Sequence, residues 1–135
     1  MSTTLPTVAV IGSGTMGAGI AEVAAAAGHP VLIYDIAPEA VVRAIDGIRQ
    51  RLASRVSRGK LAANQAEALL SRLAPAEDLS ALARAELVIE AASERLDVKK
   101  ALFRHLAEIC SPSTLLVSNT SSISITAIAA GIKRS

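Results

Sequence analysis

Apolar residues come along this chain in two rhythms, short unbroken runs and helically spaced stripes, and the alternation of the two predicts its elements. Val8-Ala9-Val10-Ile11 is an unbroken run that ends at Gly12, which reads as a strand buried on both faces. A helical stretch follows from about Met16 to Ala27 and stops at Gly28, after which Val31-Leu32-Ile33-Tyr34 reads as a second buried strand ending in Asp35. From Pro38 to about Ser57, the residues Val41, Ile45, Ile48, Leu52 and Val56 recur at spacings of four, three, four and four, the stripe of an amphipathic helix with proline in its first turn. Gly59-Lys60 breaks it. Asn64, with Glu67 three positions on, reads as the N-cap of a shorter helix carrying Leu69, Leu70 and Leu73, so the two form a helical hairpin after the second strand.

Further along, Leu73-Ala74 predicts a short strand and Leu79 to Ala85 a short helix. Leu87 to Ala92 is a clearer strand, the stretch Leu96 to Cys110 a helix with Val98, Leu102, Leu106, Ile109 and Cys110 on one side, and Leu115 to Ser118 another strand. Ile123 to Ala130 predicts a last short helix with Gly131 at its end. Strands that are apolar throughout and alternate with helices fit an α/β architecture, an open, doubly wound parallel sheet joined by right-handed crossovers. In such a sheet ligands sit beyond the carboxyl ends of the strands, where Gly12 to Gly17, Asp35, Glu94 and Asn119 to Ser122 all fall.

Composition narrows the picture. At 135 residues and 51% hydrophobic the chain suits one domain with one core, and with Tyr34 and Phe103 the only aromatics that core must be built from Ala, Leu, Ile and Val. The net charge is only +2, and no Lys/Arg run interleaved with aromatics marks a nucleic-acid surface. Arg51, Arg55 and Arg58 line one side of the long helix, either as a solvated face or as a landing site for an anionic phosphorylated ligand. Cys110 is the single cysteine, which excludes an internal disulfide and a cysteine-based zinc site and suits a core position in a reducing compartment. No metal is expected. A polar start without a signal-peptide pattern, and no apolar run near ~18 residues, lead us to expect a soluble cytoplasmic protein with no membrane partner.

The chemistry centres on Gly12-Ser13-Gly14-Thr15-Met16-Gly17. Gly12 can take the backbone angles of a sharp strand-to-helix turn, Gly14 lets a pyrophosphate approach the main chain, and Gly17 lets the helix lie close to the strand. The helix start offers free N–H groups and a positive dipole end to the phosphates. Asp35 lies 23 positions after Gly12, where a carboxylate that accepts the adenosine ribose hydroxyls and repels a 2′-phosphate is expected, which favours NAD over NADP. The alternative is an aspartate that only caps the following helix.

Three blocks carry a resemblance: Gly12 to Ala21; Val88-Ile89-Glu90-Ala91-Ala92-Ser93-Glu94 with Val98-Lys99; and Ser118-Asn119-Thr120-Ser121-Ser122-Ile123-Ser124-Ile125. From Val8 to Ile132 the sequence resembles the Rossmann-type, NAD-binding domain of the 3-hydroxyacyl-CoA dehydrogenase family, including bacterial 3-hydroxybutyryl-CoA dehydrogenases. The resemblance implies reversible oxidation of L-3-hydroxyacyl-CoA to 3-ketoacyl-CoA by hydride transfer to NAD. It implies that Gly12, Gly14, Thr15, Met16 and Gly17 hold the pyrophosphate, Asp35 the adenosine ribose, and that Glu94 and Lys99 lie near the nicotinamide. Ser121 matches the family serine near both cofactor and substrate and is the one residue here expected to take part in catalysis, while Arg51 and Arg58 match positions that contact CoA.

Removing hydride from the carbinol needs a base, usually a histidine held by a carboxylate. His29, at the turn into the second strand on the expected adenosine side, reads as structural, and His105, opposite the Leu102/Leu106 side of its helix, as solvated. The resemblance places the catalytic His/Glu pair, and a helical domain for substrate and dimer contact, beyond residue 135. Residues 1–135 are therefore expected to be an NAD-binding domain that binds NAD without efficient turnover, to expose apolar surface near Ile123 to Ile132, and to belong to a homo-oligomeric enzyme. A standalone NAD-binding module and a dehydrogenase of a free hydroxy acid remain open.

Overall fold

A computed structural model describes residues 5–91, 96–110 and 113–118. Five parallel strands form one sheet: β1 (Val8–Ile11), β2 (Val31–Tyr34), β3 (Leu73–Pro75), β4 (Leu87–Glu90) and β5 (Leu115–Ser118). Their order is β3-β2-β1-β4-β5, so the chain winds outward from β1 to β3 and then crosses back to β4 on the other side of β1. The direction of winding reverses between β1 and β4, where Val8 to Ile11 pair with Leu87 to Glu90. The crevice at a topological switch point opens there, beyond the carboxyl ends.

Helices α1 (Thr15–Ala26), α2 (Pro38–Ser57), α3 (Ala63–Ser71) and α4 (Leu96–Ile109), with a 3₁₀ helix at Leu79–Arg84, cover the two faces. Because successive strand residues point to opposite faces, each strand feeds two cores. Val8, Val10, Val31 and Ile33 pack with Ala21, Val41, Ile48, Leu52 and Leu69 on one face. On the other, Ala9, Ile11, Leu32 and Val88 pack with Leu82, Leu106 and Cys110. The face that α1 buries is made of Gly17, Ala18, Ala21 and Ala25, while Met16 and Val23 are exposed. Small residues inward let this helix lie close against the sheet. The stripe read on α2 is inside as expected, with Val41, Ile48 and Leu52 buried and Ile45 and Val56 packed beside them.

Several details differ from the sequence reading. The cap of α3 is Ala62, not Asn64, and since alanine has no capping group the main chain turns to the Gln65 side chain, whose Oε1 accepts the Ala62 N–H at 3.2 Å. β3 runs on to Pro75, which an edge strand tolerates because one side of it makes no ladder. The segment after it is a 3₁₀ helix, started by Asp78, whose carboxylate accepts the Ala81 N–H at 3.1 Å. β4 ends at Glu90, fully buried, two residues before the apolar run does. The turns at Gly28 and Gly59, both with positive φ, close α1 and α2 where the sequence placed their ends. The predicted helix Ile123 to Ala130 and the apolar surface up to Ile132 lie outside the described residues.

Candidate functional site

The turn from β1 into α1 uses its three glycines for three different reasons. Gly12 adopts φ +102° and donates its N–H to the Tyr34 carbonyl at 2.8 Å, so the chain leaves β1 under the end of β2. A Cβ at Gly17 would lie 1.8 Å from the Gly12 carbonyl oxygen, which makes glycine obligatory for the close approach of helix and strand. Gly14 is the opposite case, because a Cβ there would meet no atom within 4 Å. The space beside Gly14 is open. Gly14 is also the N-cap of α1, no side chain caps the helix, and Thr15 and Met16 are exposed on its first turn. The first N–H groups and the positive end of a twelve-residue helix therefore face outward, a fit for a phosphate group.

Asp35, just past β2, is tied to this turn. Its Oδ2 accepts both the N–H (2.9 Å) and the hydroxyl (2.8 Å) of Ser13, and its Oδ1 accepts the N–H of Ala37 at 3.0 Å. Partial burial alone would raise its pKa. The bonds from Ala37 and Ser13, with the Arg43 charge, outweigh that and hold the carboxyl below the ordinary aspartate value, so it is anionic at neutral pH. The bond to Ala37 is the capping role weighed from sequence, and it uses only part of the carboxylate. Asp35 also lines a groove of about 460 Å³ that runs from Ser13, Gly14 and Thr15 to the small residues Ala40, Ala44 and Gly47 of α2, with Arg43 and Arg51 along it.

Ser13 and Arg43 were not singled out in the sequence. Ser13 stands as a spacer between two glycines, and its partner is 22 positions away. A signal for the α2 wall was available, since Ala40, Ala44 and Gly47 recur at helical spacing as a small-residue stripe beside Arg43. The basic stripe proves unequal. Arg51 donates to Glu22 of α1 at 3.0 Å and Arg55 approaches the same carboxylate at 3.6 Å, while Arg58, at the end of α2, donates to the Ser54 hydroxyl at 2.9 Å. Arg51 alone of the three lines the groove.

Neither histidine lines that groove. His29 precedes β2, at the amino end of the sheet and opposite the end that carries Asp35, and its Nδ1 meets the Pro6 carbonyl at 2.8 Å. His105 is exposed on α4 and Cys110 is buried against the Leu82 carbonyl. Glu94, Ser121 and the side chain of Lys99 lie outside the described residues. Among the described residues no group of three His, Cys, Asp or Glu could hold a metal, and no helix is long and apolar enough to cross a membrane.

Comparison with known proteins gives this geometry a family. Residues 7–135 match the model of the 3-hydroxyacyl-CoA dehydrogenase NAD-binding domain. The chain is 70% identical over 133 residues to a 3-hydroxyadipyl-CoA dehydrogenase of Escherichia coli K12, covering 98% of this chain and 28% of that protein. It is 40% identical over 129 residues to the human mitochondrial hydroxyacyl-coenzyme A dehydrogenase, covering 90% of this chain and 41% of that one. A crystal structure of a 3-hydroxybutyryl-CoA dehydrogenase from Escherichia coli K12 superposes with a TM-score of 0.94 at 70% identity, over 98% of this chain and 28% of the other. The chain thus spans less than half the length of these relatives. It belongs to the 3-hydroxyacyl-CoA dehydrogenase family, of which it is the NAD-binding domain.

Proposed function

We propose that residues 1–135 hold NAD for an enzyme that oxidises L-3-hydroxyacyl-CoA to 3-ketoacyl-CoA, with a longer 3-hydroxyacyl group of the adipyl type the first substrate to test, given the 70% identity to a 3-hydroxyadipyl-CoA dehydrogenase. The observation that carries the reading is the anionic Asp35 facing the same groove as the bare Gly14 and the uncapped start of α1. In it, Gly12 and Gly17 set the turn, Gly14 and the N–H groups of Thr15 and Met16 receive the pyrophosphate, and Asp35 accepts a ribose hydroxyl. NAD supplies the hydride acceptor. Glu94, Lys99 and Ser121 serve the nicotinamide end, with Ser121 touching substrate, and Arg51 and Arg58 meet the CoA nucleotide. For Arg51 this requires release from Glu22.

Neither His29, at the wrong end of the sheet, nor the exposed His105 takes the hydroxyl proton in this reading, so the base comes from another segment and these residues alone bind NAD without turnover. The reading also makes the intact enzyme a cytoplasmic homo-oligomer. Calorimetric titration with NAD and NADP, repeated on Asp35→Ala, tests it. Selective NAD binding that Asp35→Ala weakens, with no turnover of acetoacetyl-CoA and NADH, is the expected result. Turnover by this chain would remove the argument from the histidines, and an Asp35→Ala chain that binds NAD unchanged would remove the ribose assignment. Because Arg51 and Arg55 are already engaged by Glu22, a free hydroxy acid is the second reading, and failure of CoA to bind the NAD-loaded full-length enzyme would favour it.

A further inference from the structure

The two strands at the switch point are not buried alike. All four residues of β1 are buried, whereas β4 alternates: Val88 and Glu90, on the face of α4, are buried, and Leu87 and Ile89, on the face of α1, are only half-buried. An internal strand of a parallel sheet is ordinarily covered on both faces. Helix α1 carries the matching deficit. Beside its buried small residues it presents Met16, Gly19, Ile20, Val23 and Ala27, a second apolar stripe at helical spacing, with Met16 55% and Val23 71% exposed and open space next to Gly19. Between this stripe and Leu87 and Ile89 lies a groove of about 660 Å³, and no Asp, Glu, Lys or Arg is in its described lining.

We propose that this groove seats an amphipathic helix from the part of the full-length enzyme that follows residue 135, laid along α1 with its apolar side over Leu87 and Ile89. This rests on the reading of residues 1–135 as the NAD-binding part of a longer enzyme, and the chain covers only 28% of its Escherichia coli relative, which leaves ample polypeptide to supply the helix. The lining has nothing to pair with a charged group, so neither a nucleotide nor CoA suits it. Size excludes a separate molecule. Along the twelve residues of α1 the groove is about 18 Å long, and at one helix width of about 10 Å it presents roughly 200 Å², well short of the about 800 Å² that each partner of a stable complex buries. A segment of the same polypeptide needs no such area, because its association is intramolecular. The chain directly after β5 is not the source, since a right-handed crossover that continues outward from β5 lies on the face of α4. Thr15 lines both this groove and the one at Asp35, so the rest of the enzyme is anchored on the same helix that receives the pyrophosphate.

The test compares the full-length enzyme with residues 1–135, both without nucleotide. Peroxide oxidation of Met16, read by peptide mass spectrometry, is expected to be at least about tenfold slower in the full-length enzyme. A benzophenone amino acid at position 23 of the full-length enzyme should cross-link within one polypeptide to a helical apolar stripe after residue 135. Val23→Asp should leave the Tm of residues 1–135 within about 3 °C of wild type, because the side chain is exposed there, and should bring Met16 oxidation in the full-length enzyme to within about threefold of the short chain. Equal oxidation of Met16 in the two wild-type chains, a cross-link between two copies, a cross-link to residues 119–135, or protection that survives Val23→Asp each overturns the proposal. Should the full-length Val23→Asp enzyme not fold, the wild-type oxidation rates decide. The cofactor reading is separable: a full-length enzyme that binds NAD with Met16 open loses only the docked helix, and one that protects Met16 but binds no NAD loses only the cofactor site.

Discussion

Gly17→Ala adds one methyl group at the closest main-chain approach in the glycine turn, and the structure says what it meets. Built on the existing backbone, the new Cβ lies 1.8 Å from the Gly12 carbonyl oxygen, 2.8 Å from its carbon and 3.5 Å from Val10 Cγ1. Carbon–oxygen contacts settle near about 3.3 Å, so the start of α1 must retreat from the end of β1 by roughly 1.5 Å. The two nearest atoms are main chain, which leaves no rotamer to relieve the clash. Overpacking of this kind costs about 1–3 kcal/mol, offset by up to about 1 kcal/mol from alanine's better helix propensity. At about 3–6 °C per kcal/mol for a chain of this size, the expected fall in Tm is roughly 5–10 °C.

Gly14→Ala supplies the contrast. Its φ of −69° and ψ of −171° already suit alanine and its Cβ would touch nothing, so Tm should fall by no more than about 3 °C, the effect of a slightly poorer N-cap. Both variants should bind NAD at least about tenfold more weakly, one because the turn has moved and the other because a methyl group stands at the proposed pyrophosphate position. Thermal unfolding and calorimetric titration of the two variants give four numbers. Gly17→Ala melting with wild type would refute the steric argument, and Gly14→Ala binding NAD like wild type would refute the placement of the phosphates.

The remaining contacts give smaller, separable effects. Glu22→Gln weakens the link from α1 to Arg51 and Arg55 and should cost up to about 1 kcal/mol at low salt and less at high salt, since both arginines are half exposed; a double-mutant cycle with Arg51→Ala measures the coupling, and an effect independent of salt would mean the contact is not ionic. Arg72→Ala removes the 2.7 Å bond from its guanidinium to the Ala25 carbonyl at the end of α1 and should cost about 1–2 kcal/mol in denaturant unfolding, with no loss of NAD affinity because it lies at the amino end of the sheet. His29→Ala should release the segment before β1 by losing the bond to Pro6, seen as faster amide exchange near Val8 and a cost of about 1 kcal/mol.

What the sequence made legible was whatever repeats along the chain. Unbroken apolar runs announced every strand that the helices cover on both sides, and the stripe Val41, Ile48, Leu52 announced the buried side of α2. What it hid was contact between distant positions, such as the tie of Ser13 to Asp35 or the shared Glu22 that sets Arg51 and Arg55 apart from Arg43. No local period reports these, and they decide the electrostatics of the site. The Asp35 tie has a consequence in acid. Its carboxyl is held below the value of about 3.9 that an aspartate has in an unfolded chain. With a depressed folded pKa, the unfolded state binds the proton more readily, so the stabilisation is fully present above about pH 4 to 5 and is lost as pH falls through the lower folded value. Tm measured against pH should therefore drop more steeply below about pH 4 for wild type than for Asp35→Asn, which cannot ionise but can still accept from Ser13 through its amide oxygen. Parallel acid limbs for the two chains would show that the Ser13 and Ala37 bonds do not favour the ionised carboxyl, and the account of what holds Asp35 below the ordinary aspartate value would fall.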